Sequence, residues 1–323
     1  MHKKVKHKAI VGITMGDPAG IGPAIIRKSL ARLKNLADFV IIGDRWVFER
    51  SNMHGPASRN FKFVDLNNIN HKSFKPGEIK AEYGRASMEY LEKGLLLIKN
   101  NQIDCLVTCP VSKEAINLAG YNNFSGHTEY LAKRTGTKYF VMMLLNKKIK
   151  VSLVTRHIPL KDVPSSLTED KIYRTISLTR RALKEIFLIN NPGIAVCGLN
   201  PHASDNGILG NEENIIIKPA LKRLKKIAKN IDGPLPADVA ALKTAQGKYD
   251  CLIVMYHDQA LIPLKVLGAY TGVNLTIGLP FIRTSPLHGT AFDIAANPDL
   301  ANPASLIEAI TLAARCALNQ KKA

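Results

Sequence analysis

A chain of 323 residues, 46% hydrophobic and 22% charged, carries enough apolar content for one or two full cores, which excludes disorder and fibres. Its 22 glycines and 17 prolines are scattered without period, so neither a collagen repeat nor a long flexible linker fits. Lysine and arginine number 45 against 26 aspartates and glutamates, a net charge of +19, which raises nucleic-acid binding as a first thought. The basic residues, however, fall in short separated clusters (Lys3 to Lys8, Lys147 to Lys150, Arg180 to Lys184, Lys222 to Lys229, Lys321 and Lys322). No zinc-finger spacing or aromatic RNA-binding motif lies among them, so they read as solvated surface and no nucleic-acid partner is expected.

In chain order, the first apolar run, Ile10 to Met15, follows a basic N-terminus and breaks at Gly16-Asp17 without a small-residue cleavage site. No apolar run reaches the roughly 18 residues of a membrane span, so a cytoplasmic protein with no membrane partner is expected. Further strand-like runs are Phe39 to Ile42, Phe61 to Leu66, Cys105 to Thr108, Phe140 to Leu145, Val151 to Thr155, Ile194 to Leu199, Cys251 to Tyr256 and Val273 to Ile277. Between them lie helical periods, with Met88, Leu91, Leu95 and Ile98 predicted as one buried stripe and Ile172, Ile176, Thr179, Leu183 and Ile186 as another. Such alternation predicts an α/β fold. The last helix is expected to be capped by Asn302, to hold Pro303 in its first turn and to bury Leu306, Ala309, Ala313 and Cys316. Cys105, Cys109, Cys197, Cys251 and Cys316 are odd in number, and at least three lie in or beside apolar runs, which predicts reduced, buried thiols.

In a parallel α/β sheet, ligands gather beyond the carboxyl ends of the strands. Three predicted strands lead there to histidine: Val151 to His157, Ile194 to His202 and Cys251 to His257, three of the nine histidines in the chain. Three imidazoles that leave a coordination position open suit a catalytic divalent metal, zinc first, although taken singly each reads first as a polar loop residue. Asp258 and Asn200 are placed to orient such rings. A second constellation suits anions: Gly126-His127-Thr128 at a predicted helix start, Lys265, Asn274, and Arg283 in Gly278-Leu-Pro-Phe-Ile-Arg-Thr-Ser285. The glycine-rich Gly16-Asp-Pro-Ala-Gly-Ile-Gly-Pro23 follows the first strand as phosphate-cradling loops do, but its spacing is neither usual phosphate fingerprint and equally describes a tight turn.

Taken together, Gly16 to Pro23, Gly126-His-Thr-Glu129, Gly198-Leu-Asn-Pro-His202, Gly233-Pro-Leu-Pro-Ala-Asp238, Tyr256-His-Asp-Gln259 and Gly278 to Ser285 resemble the 4-hydroxythreonine-4-phosphate dehydrogenase (PdxA) family of vitamin B6 synthesis, from about residue 12 to about residue 312. The resemblance implies two α/β/α domains of the isocitrate and isopropylmalate dehydrogenase type. They are expected at 1–136 with 282–323, carrying a cofactor loop, and at 137–281, carrying metal and substrate ligands. It implies a homodimer whose active site is shared between subunits, and a divalent metal, zinc before magnesium or cobalt, on His157, His202 and His257. It assigns the phosphorylated four-carbon substrate to His127, Thr128, Lys265, Asn274 and Arg283, with Lys265 also the expected proton acceptor. NAD or NADP would lie on His288, Gly289, Thr290, Ala291 and Asp293, a stretch that otherwise reads as a turn before a helix. The implied reaction is metal-dependent oxidation of 4-phosphooxy-L-threonine, followed by decarboxylation to 3-amino-2-oxopropyl phosphate. The alternatives are oxidative decarboxylation of phosphorylated threonate or erythronate, phosphate acyl transfer, and nucleic-acid binding. The chain departs from the family at Ala24 (Glu), Ala260 (Gly), Ser204-Asp205 (Gly-Glu), Leu287 (Asp) and Ala296 (Gly); none of these is a metal or substrate position.

Overall fold

The computed structural model describes residues 8–51, 61–225 and 228–322; Lys3, Lys4, Lys6 and Lys226 of the basic clusters lie outside the described residues. The chain divides into two compact units, one ending at Arg134 and resuming over Pro280–Lys322, the other Thr135–Leu279. In the first stand β1 (Ile10–Thr14), α1 (Gly22–Arg32), β2 (Asp38–Gly43), α2 (Arg45–Arg50), β3 (Phe61–Asp65), α3 (Ala81–Lys99), β4 (Cys105–Thr108), α4 (Lys113–Leu118) and α5 (His127–Arg134). The second holds β5 (Val141–Leu145), β6 (Lys150–Leu153), α6 (Val163–Ser166), α7 (Glu169–Glu185), β7 (Ile194–Cys197), α8 (Lys218–Lys225) and β8 (Ile231–Leu235), then α9 (Ala237–Ala245), β9 (Cys251–Val254), α10 (His257–Gly268) and β10 (Val273–Ile277). The chain then returns to the first unit for β11 (Ile282–Pro286) and α11 (Ala304–Gln320). The fold class is α/β, as the alternation of strand and helix periods predicts.

In the first unit the order β3-β2-β1-β4-β11 is parallel throughout. Ile13, Val107 and Thr284 share one register row and Gly12, Leu106 and Arg283 the next, so the two rows face opposite sides of the sheet. The Thr284 hydroxyl donates to the Ala309 carbonyl of α11, which fixes the helix on that face beside α1. α3 takes the other face. Its expected stripe is shifted: Leu95 and Ile98 are only partly buried, while Tyr83, Ser87, Met88, Tyr90, Leu91, Gly94 and Leu97 are buried. Gly94 explains the shift, because a Cβ there would lie 2.9 Å from Leu106 Cδ1, and without one the helix sits directly on the sheet.

The second unit's order is β10-β5-β6-β9-β7-β8, antiparallel for β10-β5-β6 and parallel from β6 onward. Both α7 and α10 pack on β5 and β6, so they lie on opposite faces. The α7 stripe of Ile172, Ile176, Thr179 and Leu183 is buried, with Ile186 half-buried past the helix end.

Nine strand-like runs are strands, and β8 and β11 are additional. β8 is an edge strand, where Pro234 is tolerated because no neighbour needs its missing N–H. Each residue of β11 is buried although three of the five are polar, because Arg283 and Thr284 find hydrogen-bond partners inside. At α11 the cap is displaced by one residue. Pro303 stands at the N-cap and Asn302 precedes it, its Oδ1 accepting from Ala304 N at 2.9 Å, while Leu306, Ala309, Ala313 and Cys316 are buried as expected. All five cysteines are free and buried, and burial pushes the Cys197, Cys251 and Cys316 thiols up to about 12. Among the described residues no helix is long and apolar enough to cross a membrane.

Candidate active site

The parallel neighbours β6, β9 and β7 release their chains at one end of the second unit's sheet. The first two exits are laced together: Val154 N donates to the Val254 carbonyl at 2.9 Å, and the Thr155 hydroxyl to the Met255 carbonyl at 2.6 Å. His157 and His257 follow within a few residues, and their ring centroids stand 5.7 Å apart at 52°. Bonds of about 2.0–2.1 Å from two rings to one tetrahedral ion would space the ring centres about 5–6 Å apart, so the pair suits a shared divalent cation. Asp258 Oδ1 lies 2.7 Å from His257 Nδ1, the carboxylate partner that fixes a ligating ring and leaves Nε2 for the ion.

His202 is carried elsewhere. β7 ends at Cys197 rather than Leu199, and from His202 to Asn206 five successive residues have φ between 44° and 69°. A left-handed turn costs an L residue other than glycine roughly 1–2 kcal/mol, and here none of the five is glycine. Ser204, in the middle of the five, is buried, with no hydrogen-bond partner for its hydroxyl among the described residues. Among the described residues no three His, Cys, Asp or Glu side chains converge as a metal site. The donors that do meet, two imidazoles and an orienting carboxylate, fit a borderline divalent ion, and the third expected histidine does not join them within the chain.

The other second-unit candidates are Lys265 and Asn274. Lys265 lies on the exposed side of α10. Asn274 sits in β10 with Oδ1 buried and without a hydrogen-bond partner among the described residues, an acceptor left for a ligand.

In the first unit Arg283, the register partner of Leu106 in β4, is 2% exposed. Its Nε and Nη2 donate to Thr108 Oγ1 at 3.2 and 2.6 Å, and its Nη1 to Thr128 Oγ1 at 3.3 Å. Burial lowers its pKa to about 10, opposed by the Glu129 carboxylate, so the guanidinium stays charged at neutral pH. Thr128 and His127 open α5, where N–H groups favour an anion. Burial, then the Arg283 charge, holds the His127 imidazole well below its ordinary pKa, so it meets a ligand as a neutral ring.

Between β11 and α11 runs the expected cofactor stretch. His288 is exposed, its Nδ1 3.0 Å from the Gly289 carbonyl, and Ala291 is left-handed at φ 47°. Thr290 is docked on the glycine-rich turn: its carbonyl accepts from Ile21 N at 2.9 Å, and a Cβ on Gly20 would come within 3.0 Å of that oxygen. A Cβ on Gly22 would meet the Met15 carbonyl at 2.1 Å. Of the two readings of this turn, the structure supports the tight turn: its glycines admit the chain's own backbone. Asp293 lies in a short 3-10 turn, Phe292–Ile294.

Among the described residues, sequence reasoning missed three buried carboxyls, Asp17, Asp44 and Glu213. Asp17 is fully buried in the glycine-rich turn; Oδ1 accepts from Ala19 N at 2.9 Å, Oδ2 has no hydrogen-bond partner among the described residues, and burial raises its pKa to about 7. Glu213, also fully buried, accepts at Oε1 from Leu199 N and Asn200 N, both at 2.8 Å. The signal for Asp17 was a carboxyl in a turn between an apolar strand and a helix; Glu213 had none.

Residues 25–313 match the family described as "Pyridoxal phosphate biosynthetic protein PdxA". The chain is 43% identical over 315 residues to a 4-hydroxythreonine-4-phosphate dehydrogenase from Sulfurihydrogenibium sp., covering 94% of this chain and 97% of the relative. It is 39% identical over 326 residues to a D-threonate 4-phosphate dehydrogenase from Pectobacterium atrosepticum, covering 95% and 99%. A crystal structure of 4-hydroxythreonine-4-phosphate dehydrogenase from Klebsiella pneumoniae superposes with a TM-score of 0.86 at 36% identity, over 97% of this chain and 99% of that one.

Proposed function

The chain belongs to the PdxA family of oxidoreductases, and on that premise we propose that it oxidises 4-phosphooxy-L-threonine with a nicotinamide cofactor, NAD before NADP, in pyridoxal phosphate synthesis. The observation that carries this reading is likeness along nearly the whole chain to relatives of that name. The buried, charged Arg283 supports an anionic substrate.

Arg283, with the Thr128 hydroxyl and the neutral His127 ring at the start of α5, holds the substrate's anionic end. Asn274 presents its unpartnered oxygen to a substrate donor, and Lys265 is assigned a substrate contact and the proton of the reacting hydroxyl. His288, Gly289, Thr290, Ala291 and Asp293 hold the nicotinamide cofactor, with the glycine-rich turn fixing Thr290 from beneath. His157, His257 and His202 would hold a divalent ion, zinc first and magnesium or cobalt as alternatives, which would supply Lewis-acid polarisation of the substrate oxygen. The nicotinamide, when bound, would supply the acceptor for the hydride of C3, while Lys265 takes the proton of the C3 hydroxyl. The resulting β-keto acid then loses its carboxylate as carbon dioxide, the C1–C2 electrons passing to the neighbouring ketone, and protonation gives 3-amino-2-oxopropyl phosphate.

Because His202 does not join the other two within one chain, a site shared across a homodimer is the form that completes the ligand set. α10 and the turn after it support such an assembly: Ile262 and Val266 on the helix and Tyr270 just beyond its end are 63%, 81% and 71% exposed. Five buried free thiols suit the reducing cytoplasm.

A second reading has its own observation, the 39% likeness to a D-threonate 4-phosphate dehydrogenase. The two substrates differ by amino against hydroxyl at C2. Nicotinamide reduction with each, at matched concentration and with and without a chelator, separates the readings. Preference for 4-phosphooxy-L-threonine with release of 3-amino-2-oxopropyl phosphate is expected. Turnover of threonate 4-phosphate alone, giving dihydroxyacetone phosphate, would overturn the first reading.

A further inference from the structure

We propose that Glu213 and Gln259 are positioning residues for His202, clamping the chain between the β7 exit and the strained left-handed turn so that the imidazole is delivered to its ligand position. The proposal rests on the reading of His202 as a metal ligand.

Glu213 lies wholly buried in a single π-helical turn, Glu213–Ile217, immediately before α8. Such turns are rare and recur at functional sites, because the extra residue re-aims one side chain. The side chain re-aimed here is a carboxyl whose hydrogen-bond donors are N–H groups of one short segment. Oε1 takes the consecutive amides of Leu199 and Asn200, each at 2.8 Å, and Oε2 takes Asn200 Nδ2 at 3.0 Å. The same amide nitrogen donates to Glu212 Oε2 at 2.8 Å and holds that carboxyl below its ordinary pKa. Putting a carboxyl inside a protein is unfavourable unless its oxygens are satisfied, and an apolar residue would fill the same space without that cost. What the carboxyl adds is a fixed direction for two backbone N–H groups lying two and three residues before His202.

Gln259 grips the same segment from the other side. Its Nε2 donates to the Gly198 carbonyl at 2.9 Å, while its Oε1 accepts from Met255 N at 2.9 Å. One side chain therefore ties the β7 exit, which leads to His202, to the β9 exit, which leads to His257. The segment from Gly198 to Asn200 is thus held at a carbonyl, two amides and a side-chain amide. Gly198 itself is closely packed: a Cβ there would lie 2.8 Å from Ala203 Cα and 3.0 Å from Glu213 Oε1.

The clamp meets a physical need. From His202 to Asn206 the backbone occupies a conformation that L residues avoid, and strain of this kind persists only where its surroundings over-determine it. Left unheld, the turn would relax toward ordinary φ values and swing the His202 ring away. The clamp acts on the backbone and not on the ring, so its loss should loosen metal binding rather than abolish it.

The test uses full-length dimeric protein with cobalt(II) as the probe. Cobalt affinity is measured by absorption titration against a competing chelator, and amide hydrogen exchange is followed over residues 198–202. For Glu213→Ala, faster exchange over 198–202 with distant segments unchanged is expected, together with a 10- to 100-fold loss of cobalt affinity. Glu213→Gln keeps an acceptor for the two amides and should retain most of both; Gln259→Leu, removing the second grip independently, should repeat the loss if Glu213→Ala folds poorly. Unchanged exchange over 198–202 in both Glu213→Ala and Gln259→Leu would overturn the clamp. Faster exchange with unchanged cobalt affinity, where His202→Ala loses affinity, would overturn the positioning role. If His202→Ala itself binds cobalt normally, the ligand reading fails, and the inference for His202 falls with it, even if the exchange arm shows a clamp.

Discussion

Arg283 reaches Thr108 with two nitrogens of its guanidinium, Nε at 3.2 Å and Nη2 at 2.6 Å, both on the one hydroxyl oxygen, and extends its third nitrogen to Thr128. The fork is locked from one side by β4 and from the other by α5, so its plane is set before any ligand arrives. An ammonium at the same position cannot make these contacts and also face an anion. For Arg283→Lys the expected result is a KM for the phosphorylated substrate raised about 10-fold or more, corresponding to at least about 1.4 kcal/mol of lost binding. Initial-rate kinetics check it, and an unchanged KM would remove Arg283 from substrate binding.

Asp17 gives the fold a pH signature. In the unfolded chain its carboxyl ionises near the ordinary 3.8, and in the folded protein near 7, so between those values only the folded state keeps the proton. Stability should therefore fall as pH rises from about 4 to about 7 and level off above, by a contribution of roughly 4 kcal/mol from this group. Asp17→Asn keeps the oxygen that accepts from Ala19 N and has no charge to bury. Urea unfolding of both proteins from pH 4.5 to 7.5 should show the variant gaining steadily on the parent as pH rises. Parallel curves would mean that Asp17 ionises freely in the fold.

The pairing of His157 with His257 makes a directional forecast for mixed dimers. When His202→Ala is refolded together with either His157→Ala or His257→Ala, one site of each mixed dimer regains all three ligands, and about a quarter of the parental activity should return. His157→Ala with His257→Ala should return none under the proposed arrangement, in which the two rings that meet within one chain form one half of the shared site. Rescue in that last mixture, or none in the other two although mixed dimers form, would refute the shared arrangement.

A charge in the exposed stripe of α10 tests the assembly itself. Val266, 81% exposed, makes no contribution to the core of its own chain, so Val266→Asp should leave each unit folded. Sedimentation should show a shift from dimer toward monomer, with activity falling in step. A variant that stays dimeric and fully active would clear this face of any role.

Much of this molecule was legible in its sequence, for definable reasons. Short apolar β-branched runs can only be buried strands in a chain of this composition, which is why β1 and β9 were readable to within a residue or two. β11 was not, because Arg283, Thr284 and Ser285 are polar, and Arg283 and Thr284 find their partners only in the tertiary fold. The α3 stripe slipped because a glycine, Gly94, faces the sheet, and glycine carries no hydrophobic signal. At the candidate site, strand exits pointed to His157 and His257 and topology brought them together. The left-handed turn after β7 was invisible, since His202, Ala203, Ser204, Asp205 and Asn206 have no common preference for it and the buried Glu213 that grips its approach lies more than ten residues away.

The discontinuity of the first unit sets an order of assembly on the ribosome. β4 pairs on one side with β1, made long before it, and on the other with β11, which emerges only after the whole second unit. At about 5–20 residues per second, the roughly 175 intervening residues take about 10–35 s to make. Through that interval β4 is an open edge beside an incomplete layer, for α11, which packs on it, is later still. The second unit has every one of its strands by then. Arg283 arrives with the strand that closes the sheet, so its buried guanidinium is seated by one of the last long-range pairings of folding, and a nascent chain stalled before residue 282 lacks a closed first unit.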